Sequence, residues 1–329
     1  MSVTETGTNG LEAAALEPDF DVVVVGAGMA GLYLLYRLRG MGFNTVVLEA
    51  ADDVGGTWYW NRYPGARCDI QSVDYSYSFD NDLQQEWEWS QKYATQPEIL
   101  SYFQHVADRF DLRRDIRFET RVTGAVWDDT TATWQVSTDA GTDISARWYV
   151  MATGCLSMPK ELDIEGADQF QSPTYFNSRW PHEGVDFSGM RVGLVGTGSS
   201  AIQSIPVIAE QAAELVVFQR TPNFSVPAGH GPVPPERIAD IKSRYPDYRQ
   251  EARLSQGGVP VEVTMDGART VSAEERRSRL DAGWDEGDLI GFLSVFNDLP
   301  INQESNDLVV EFVHEKIRSI VDDPDTAET

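Results

Sequence analysis

Apolar and polar positions follow two different periods along this chain, and the switches between them mark its elements. Val22 to Val25 form an unbroken β-branched run with polar residues only at its start, as a strand buried on both faces requires. The run stops at Gly26-Ala27-Gly28-Met29-Ala30-Gly31. Leu32, Leu35 and Leu38 then recur at helical spacing, which predicts a helix ended by Gly40 and Gly42. Asn44 to Leu48 predict a second strand, closed by the acid Glu49. Further on, Ile99, Phe103, Val106 and Phe110 mark one face of a helix over 95–110. Thr95 and Glu98 are spaced as its capping box, with Pro97 in the first turn. Strand-like stretches at 116–127, 133–137 and 144–152 predict a β-meander. Asp128-Asp129 and Asp139-Ala140-Gly141 supply its turns, and Ala152-Thr153-Gly154 ends it.

From Met190 the opening pattern returns: a strand to Val195, the turn Gly196-Thr197-Gly198-Ser199-Ser200-Ala201, and a helix buried through Ile202, Ile205, Ala209 and Ala212. A strand from Leu215 to Phe218 follows. Past Gly229 the pattern is helical and charged, with a capping box at Ser272 and Glu275. An amphipathic helix over 304–320 carries Leu308, Phe312 and Ile317, and Asp322-Asp323-Pro324 breaks it.

The two returns of strand, glycine turn and helix carry the chemistry. In the first, Gly26 permits a tight turn, Gly28 lets the backbone approach a pyrophosphate, and Gly31 allows close helix–strand packing. The ligand charge then sits on the helix N-terminus, and Glu49 would accept from ribose hydroxyls. That pattern predicts a bound dinucleotide without saying which. In the second, the strand ends not in an acid but in Arg220, followed by Thr221. An arginine there suits a ribose 2′-phosphate that a carboxylate would repel, so this fold reads as an NADP site. Two dinucleotide folds imply electron transfer between a resident and an exchanging cofactor, and the first fold is then most simply an FAD site. The electrons could pass to a disulfide, a quinone, an iron–sulfur protein or dioxygen.

Composition narrows these choices. A net charge of −26 argues against nucleic acid or an anionic membrane as partner. With only four lysines, cationic roles fall to arginine. The two cysteines, Cys68 and Cys155, form no closely spaced pair, which removes a disulfide acceptor and makes a reducing cytoplasm the default. No metal-ligand pattern and no membrane-length apolar run occurs. Residues 1–18 are polar and acidic, as in a disordered tail. Residues 52–69 hold four large aromatics with no regular period, as expected of a loop covering a cofactor.

Gly55 to Asp69 (GGTWYWNRYPGARCD), the neighbourhood of Tyr75 to Phe79, and Lys92 to Glu98 resemble the flavin-dependent Baeyer–Villiger monooxygenases. The resemblance is nearest to the branch holding phenylacetone and steroid monooxygenases, and it runs from about Phe20 to the C-terminus. It implies an α/β fold of two Rossmann-like, three-layer dinucleotide-binding domains: an FAD domain over 19–154 that this chain leaves incomplete, and an NADP domain with a helical segment over 155–329. By position it implies that Gly26, Gly28, Gly31, Glu49, Thr57, Trp58, Asp69, Tyr75 and Val122 contact FAD. Arg67, Asp69, Gly196, Thr197, Gly198, Ser199, Ser200, Gln203, Arg220 and Thr221 would contact NADPH. The reaction implied is conversion of a ketone by dioxygen to an ester or lactone through a flavin peroxide, with Asp69 orienting a catalytic arginine. That arginine belongs to a family segment with no counterpart motif here, so a second polypeptide is expected to supply it. The alternatives are a non-catalytic fragment and an NADPH-dependent flavin reductase or oxidase. In the family fingerprint traced by Phe170, Trp180 and Pro181, Ser172 and Phe176 replace a glycine and a histidine.

Overall fold

The computed structural model describes residues 17–159, 163–255, 257–261 and 264–328. Apart from Glu17 and Pro18, the tail expected over 1–18 lies outside them. The chain forms β1 (Phe20–Val25), α1 (Met29–Gly40), β2 (Thr45–Leu48), α2 (Thr57–Trp60), α3 (Asn81–Glu86) and α4 (Gln96–Arg109). Next come β3 (Ile116–Arg117), β4 (Val122–Asp128), β5 (Thr133–Thr138), β6 (Asp143–Met151), β7 (Arg191–Val195), α5 (Ser199–Ala209) and β8 (Glu214–Phe218). The helices α6 (Pro235–Ser243), α7 (Tyr245–Leu254), α8 (Ala273–Glu286), α9 (Leu289–Leu293), α10 (Gln303–Ile320) and α11 (Pro324–Ala327) complete it. These elements cluster into two compact units that interleave along the sequence: Met1–Asn61 with Leu100–Arg179, and Arg62–Ile99 with Trp180–Thr329. No helix among the described residues is long and apolar enough to cross a membrane.

The first unit is built on a six-stranded sheet of order β3-β2-β1-β6-β5-β4. β1 pairs in parallel with both β2 and β6, which is why its valines have no polar alternation: Val23 and Val24 are fully buried. The hairpins β4–β5 and β5–β6 are antiparallel, so β6 belongs to both the meander and the parallel sheet. One predicted strand is divided. Instead of a single strand over 116–127, β3 pairs with β2 and β4 with β5. Between them Glu119 adopts φ 50°, a left-handed conformation that interrupts extended backbone. Its N–H donates to the Ala51 carbonyl at 2.9 Å, and Thr120 N–H to that of Glu49 at 2.8 Å.

In the second unit, β7 and β8 form a two-stranded parallel sheet. Trp180, Phe187 and Ile208 make a core beside it, with Tyr63, Val192, Leu194 and Leu215 packed around. A separate helical core gathers Leu280, Trp284, Phe292, Phe296, Leu299, Val309, Phe312 and Val313. The rings of Trp284, Phe292 and Phe312 lie mutually 6.0–6.3 Å apart. Each such buried aromatic contributes about 2–3 kcal/mol of hydrophobic stabilisation.

Two local expectations change. The Thr95–Glu98 capping box does not close, because the Glu98 carboxylate accepts from Ser90 N–H at 2.7 Å and Ser90 Oγ at 2.9 Å. The Ser272–Glu275 box is half made: Ser272 Oγ accepts from Glu275 N–H at 3.1 Å, while the Glu275 carboxylate pairs with Arg279. α10 ends at Ile320 with Val321 as its C-cap, and Asp323 caps the short next helix, its carboxylate accepting from Thr326 N–H.

Candidate functional site

In the first unit the glycine turn is held by its own backbone. Gly26 turns at φ 104°, and its N–H donates to the Leu48 carbonyl at 2.8 Å. A methyl on Gly31 would overlap the Gly26 carbonyl oxygen, so α1 packs against the strand end closer than any side chain permits. Gly28 caps α1 without a side-chain hydrogen bond, and the first turn of α1 carries no acid. The positive end of the helix dipole therefore lies at the glycine turn without a side-chain cap or a first-turn carboxylate, as an anion-binding site requires. A Cβ on Gly28 would come within 3.2 Å of Gly56 Cα, so two side-chain-free backbones meet at its edge. Such a cradle fits a dinucleotide pyrophosphate.

Glu49 ends β2 as expected, but it has a structural duty the sequence reading missed. Its carboxylate is buried, accepting from Ala27 N–H at 2.6 Å and from Ala51 N–H at 2.9 Å. The acid thus ties the end of β2 to the glycine turn and keeps its remaining lone pairs for another donor. The aromatic run, expected to be irregular, contains the one-turn helix α2 with Gly56 as its N-cap and with Trp58 and Tyr59 buried. Tyr59 OH donates to Asp52 at 2.7 Å. Val122, the remaining candidate in this unit, opens β4 half-buried.

The second unit contains Arg67, Asp69 and Tyr75 as well as the second glycine turn. Gly198 caps α5, again with no side-chain hydrogen bond and no acid in the first turn. Here a Cβ on Gly196 or Gly198 would meet nothing within 4 Å. Ser199, Arg220 and Thr221 are exposed, while Thr197 and Ser200 are half-buried. Asn223 Nδ2 donates to the Thr197 carbonyl at 3.2 Å, folding the segment after β8 back over the turn.

Gln203, read as a cofactor contact, uses its amide as a clamp. Its Nε2 donates to the Arg67 carbonyl at 3.1 Å, and its Oε1 accepts from Arg67 N–H at 3.3 Å and Tyr63 OH at 2.9 Å. A Cβ on Gly65 would overlap the Gln203 carbonyl oxygen, so this loop lies directly on α5. The clamp places Arg67 beside the helix that follows the glycine turn. Tyr63, Gly65 and His230, whose ring meets Arg67, were not singled out by sequence. Tyr63 and Gly65 lie 140 and 138 positions from their partner on α5, and no local spacing reports such contacts.

Asp69 is exposed and itself lines a small cavity with Ile70, Gln71, Asp74, Arg237, Tyr248 and Asp288. Gln71 Nε2 donates to Asp288 at 2.7 Å, and Gln71 Oε1 accepts from Arg237 Nη2 at 2.8 Å. Burial raises the Asp74 carboxyl above its ordinary range, although Tyr248 donates to it and Arg249 and Arg237 lie near. One Asp74 oxygen is buried without a protein partner. Cys68 is buried, and that burial pushes its thiol up to about 11, so it is no thiolate at neutral pH.

Known proteins place this geometry in context. The pyridine nucleotide-disulphide oxidoreductase family matches residues 23–233. The chain is 41% identical to a Baeyer–Villiger monooxygenase of Pseudooceanicola batsensis, over 94% of this chain and 57% of that protein. Among solved structures, an oxidised steroid monooxygenase bound to NADP is similar with TM-score 0.89 and 53% identity, over 94% of this chain and 59% of that one. The protein called OTEMO, in complex with FAD and NADP, is similar with TM-score 0.90 and 40% identity, over 95% and 60%. The chain thus spans less than two thirds of each of these proteins.

Proposed function

Since the chain belongs to the pyridine nucleotide-disulphide oxidoreductase family, we propose that it uses that framework for an FAD- and NADPH-dependent monooxygenation of ketones to esters or lactones. The observation that carries this reading is the pair of glycine-capped helix N-termini without acids in their first turns, behind two glycine turns, one strand ending in buried Glu49 and the other in exposed Arg220. The 53% identity to a steroid monooxygenase supports the choice of reaction. A disulfide is disfavoured as acceptor because the chain has two cysteines, one buried with a raised thiol pKa.

FAD, when bound, supplies the two-electron acceptor for hydride and the centre at which dioxygen is activated. Gly26, Gly28 and Gly31 would admit its pyrophosphate to the α1 N-terminus, Glu49 would take a ribose hydroxyl, and Thr57, Trp58, Tyr75 and Val122 would complete its contacts. For NADPH, Gly196, Thr197, Gly198, Ser199 and Ser200 would receive the phosphates at α5, and Arg220 with Thr221 the 2′-phosphate. Arg67, held on Gln203, adds a second cation. A carboxylate at Asp69 would orient a further arginine beside the reacting carbonyl, where a fixed cation stabilises developing negative charge.

No described residue is assigned that role, and we place the arginine on a further segment that packs against this chain. The exposed apolar residues of β7 and β8 support a covering segment: Val195 is 79% and Phe218 56% exposed. The test is to purify the chain with and without a co-expressed segment carrying that arginine, add FAD, NADPH and a panel of ketones, and assay ester by chromatography. Ester formed only with the segment is the expected result. FAD that fails to bind under either condition overturns the proposal, and peroxide without ester would favour a flavin reductase or oxidase.

A further inference from the structure

Arg67 and His230 face each other in the second unit with guanidinium Nη1 2.5 Å from imidazole Nε2. Both backbones are fixed before the side chains meet. The Arg67 peptide is clamped by the Gln203 amide on both its N–H and its carbonyl, and Arg67 forms an isolated β-bridge with Thr95. On the other side, Lys92 N–H donates to the Gly231 carbonyl at 2.9 Å, and Gln91 bridges to Pro232. Gly229 is wedged so tightly that a Cβ there would come within 2.5 Å of the Glu286 carbonyl oxygen. What stays adjustable is the torsions of two side chains.

A guanidinium has no acceptor and remains charged, so in this contact the imidazole nitrogen must accept and His230 must be neutral. The groups that face the ring are the Arg67 guanidinium, the Lys92 ammonium and the Tyr93 ring, whose centroid is 6.1 Å away. The two charged groups are both cations. Although His230 is exposed, desolvation by the groups packed against it, and then the charges of Arg67 and Lys92, hold the imidazole below its ordinary value. An imidazolium here would turn the acceptor into a donor beside two positive charges.

We propose that His230 is a positioning residue whose neutral imidazole holds the Arg67 guanidinium ready for the phosphates of NADP(H). This rests on the reading of Arg67 as an NADP(H) contact. Arginine has a long, torsion-rich side chain, and fixing it before the ligand arrives removes an ordering cost from binding. Acidification through the imidazole midpoint breaks the tether, so affinity falls with pH by more than the ligand's own titration explains.

The experiment titrates the full chain with NADP⁺ calorimetrically at about pH 8 and about pH 5.5, on either side of the ordinary histidine range. His230→Phe is expected to bind roughly three- to tenfold more weakly than wild type at the higher pH. His230→Gln keeps an acceptor that does not titrate. It should stay near wild type at the higher pH and lose less affinity on acidification. Protonation of the 2′-phosphate adds the same loss to every variant. Wild-type affinity in His230→Phe, or parallel acid losses in wild type and His230→Gln, would overturn the proposal. No NADP⁺ binding by wild type would sink the NADP(H) reading itself, and the positioning role with it. A ligand-free readout is the His230 midpoint by NMR, which should rise in Arg67→Ala; an unchanged midpoint also overturns the idea.

Discussion

The two glycine turns share one motif and are packed in opposite ways. β1 enters its turn between two parallel neighbours, with Val23 and Val24 fully buried, and α1 approaches so closely that Gly31 touches the turn's own carbonyl. β7 pairs among the described residues with β8 alone, Val195 is 79% exposed, and the third position of its turn is Ala201. The methyl that the first unit excludes is present in the second. A glycine in the last place of G-x-G-x-x-G therefore marks helix–strand distance, and an alanine marks a helix standing slightly further off. The first turn is locked by its scaffold, while the second has room around its glycines for a ligand.

The sharpest way to break this contrast is to add one methyl to each turn. Gly31→Ala forces backbone apart in a packed layer and is expected to cost about 3 kcal/mol or more, with loss of FAD binding. Gly198→Ala meets no neighbour and should cost about 1 kcal/mol, since it changes only a helix N-cap. Thermal melts of the two variants decide the point; equal losses would show that the turns are packed alike.

A smaller effect should sharpen the division of cofactors. Arg220→Ala removes an exposed cation that no fold contact needs, so stability should be unchanged within about 0.5 kcal/mol. Affinity for NADPH is expected to fall by about 1.5–3 kcal/mol, the scale of a charged hydrogen bond, while that for NADH stays the same. Equal losses for both ligands would move the 2′-phosphate elsewhere.

The smallest effects lie in two acids with opposite environments. In the first unit, burial disfavours the Asp53 carboxylate but Arg113, Gln104 and Val54 N–H outweigh it, holding the group below its ordinary range. That stability is present above the ordinary carboxylate range and is lost as pH falls through the lowered value. In the second unit, burial raises Asp74, so its contribution runs the other way and stability declines as pH rises through the carboxylate range. Asp53→Asn should therefore lose stability most at neutral pH, whereas Asp74→Asn should lose none there and flatten the acid-side slope. Urea midpoints measured across that range test both signs.

Much of the fold was legible because its cause is local. Valine runs, glycine turns and leucine spacing place β1, α1, β2, β7 and β8 close to where they lie. α5, by contrast, ends at Ala209, short of the expected Ala212, and buries Ala201, Ser204 and Ile208 in place of Ile202 and Ala209, because the neighbours that pack on it are distant in sequence. The divided strand was not legible, because the turn at Glu119 is held by carbonyls of Glu49 and Ala51 some 70 positions away. Glu98 left its capping box for a nearer partner, accepting from Ser90, eight positions back, at a spacing outside the capping pattern. At the candidate site, the glycines, Glu49, Arg67 and Arg220 were named from pattern and resemblance. The two backbone bonds of Glu49 and the Gln203 clamp appear only once distant segments are brought together.

By itself the sequence determined that two strand–turn–helix units exist, that their strand ends carry opposite charges, and that cysteine chemistry is scarce. Short-range sterics and periodicity suffice for that, since each signal lies within about thirty residues. Only the tertiary structure decided which glycine is crowded and which is free, that β6 serves both meander and parallel sheet, and that Arg67 meets His230. Those facts depend on contacts between residues far apart in the chain. Their geometry is set by packing many side chains at once, and no local pattern encodes it.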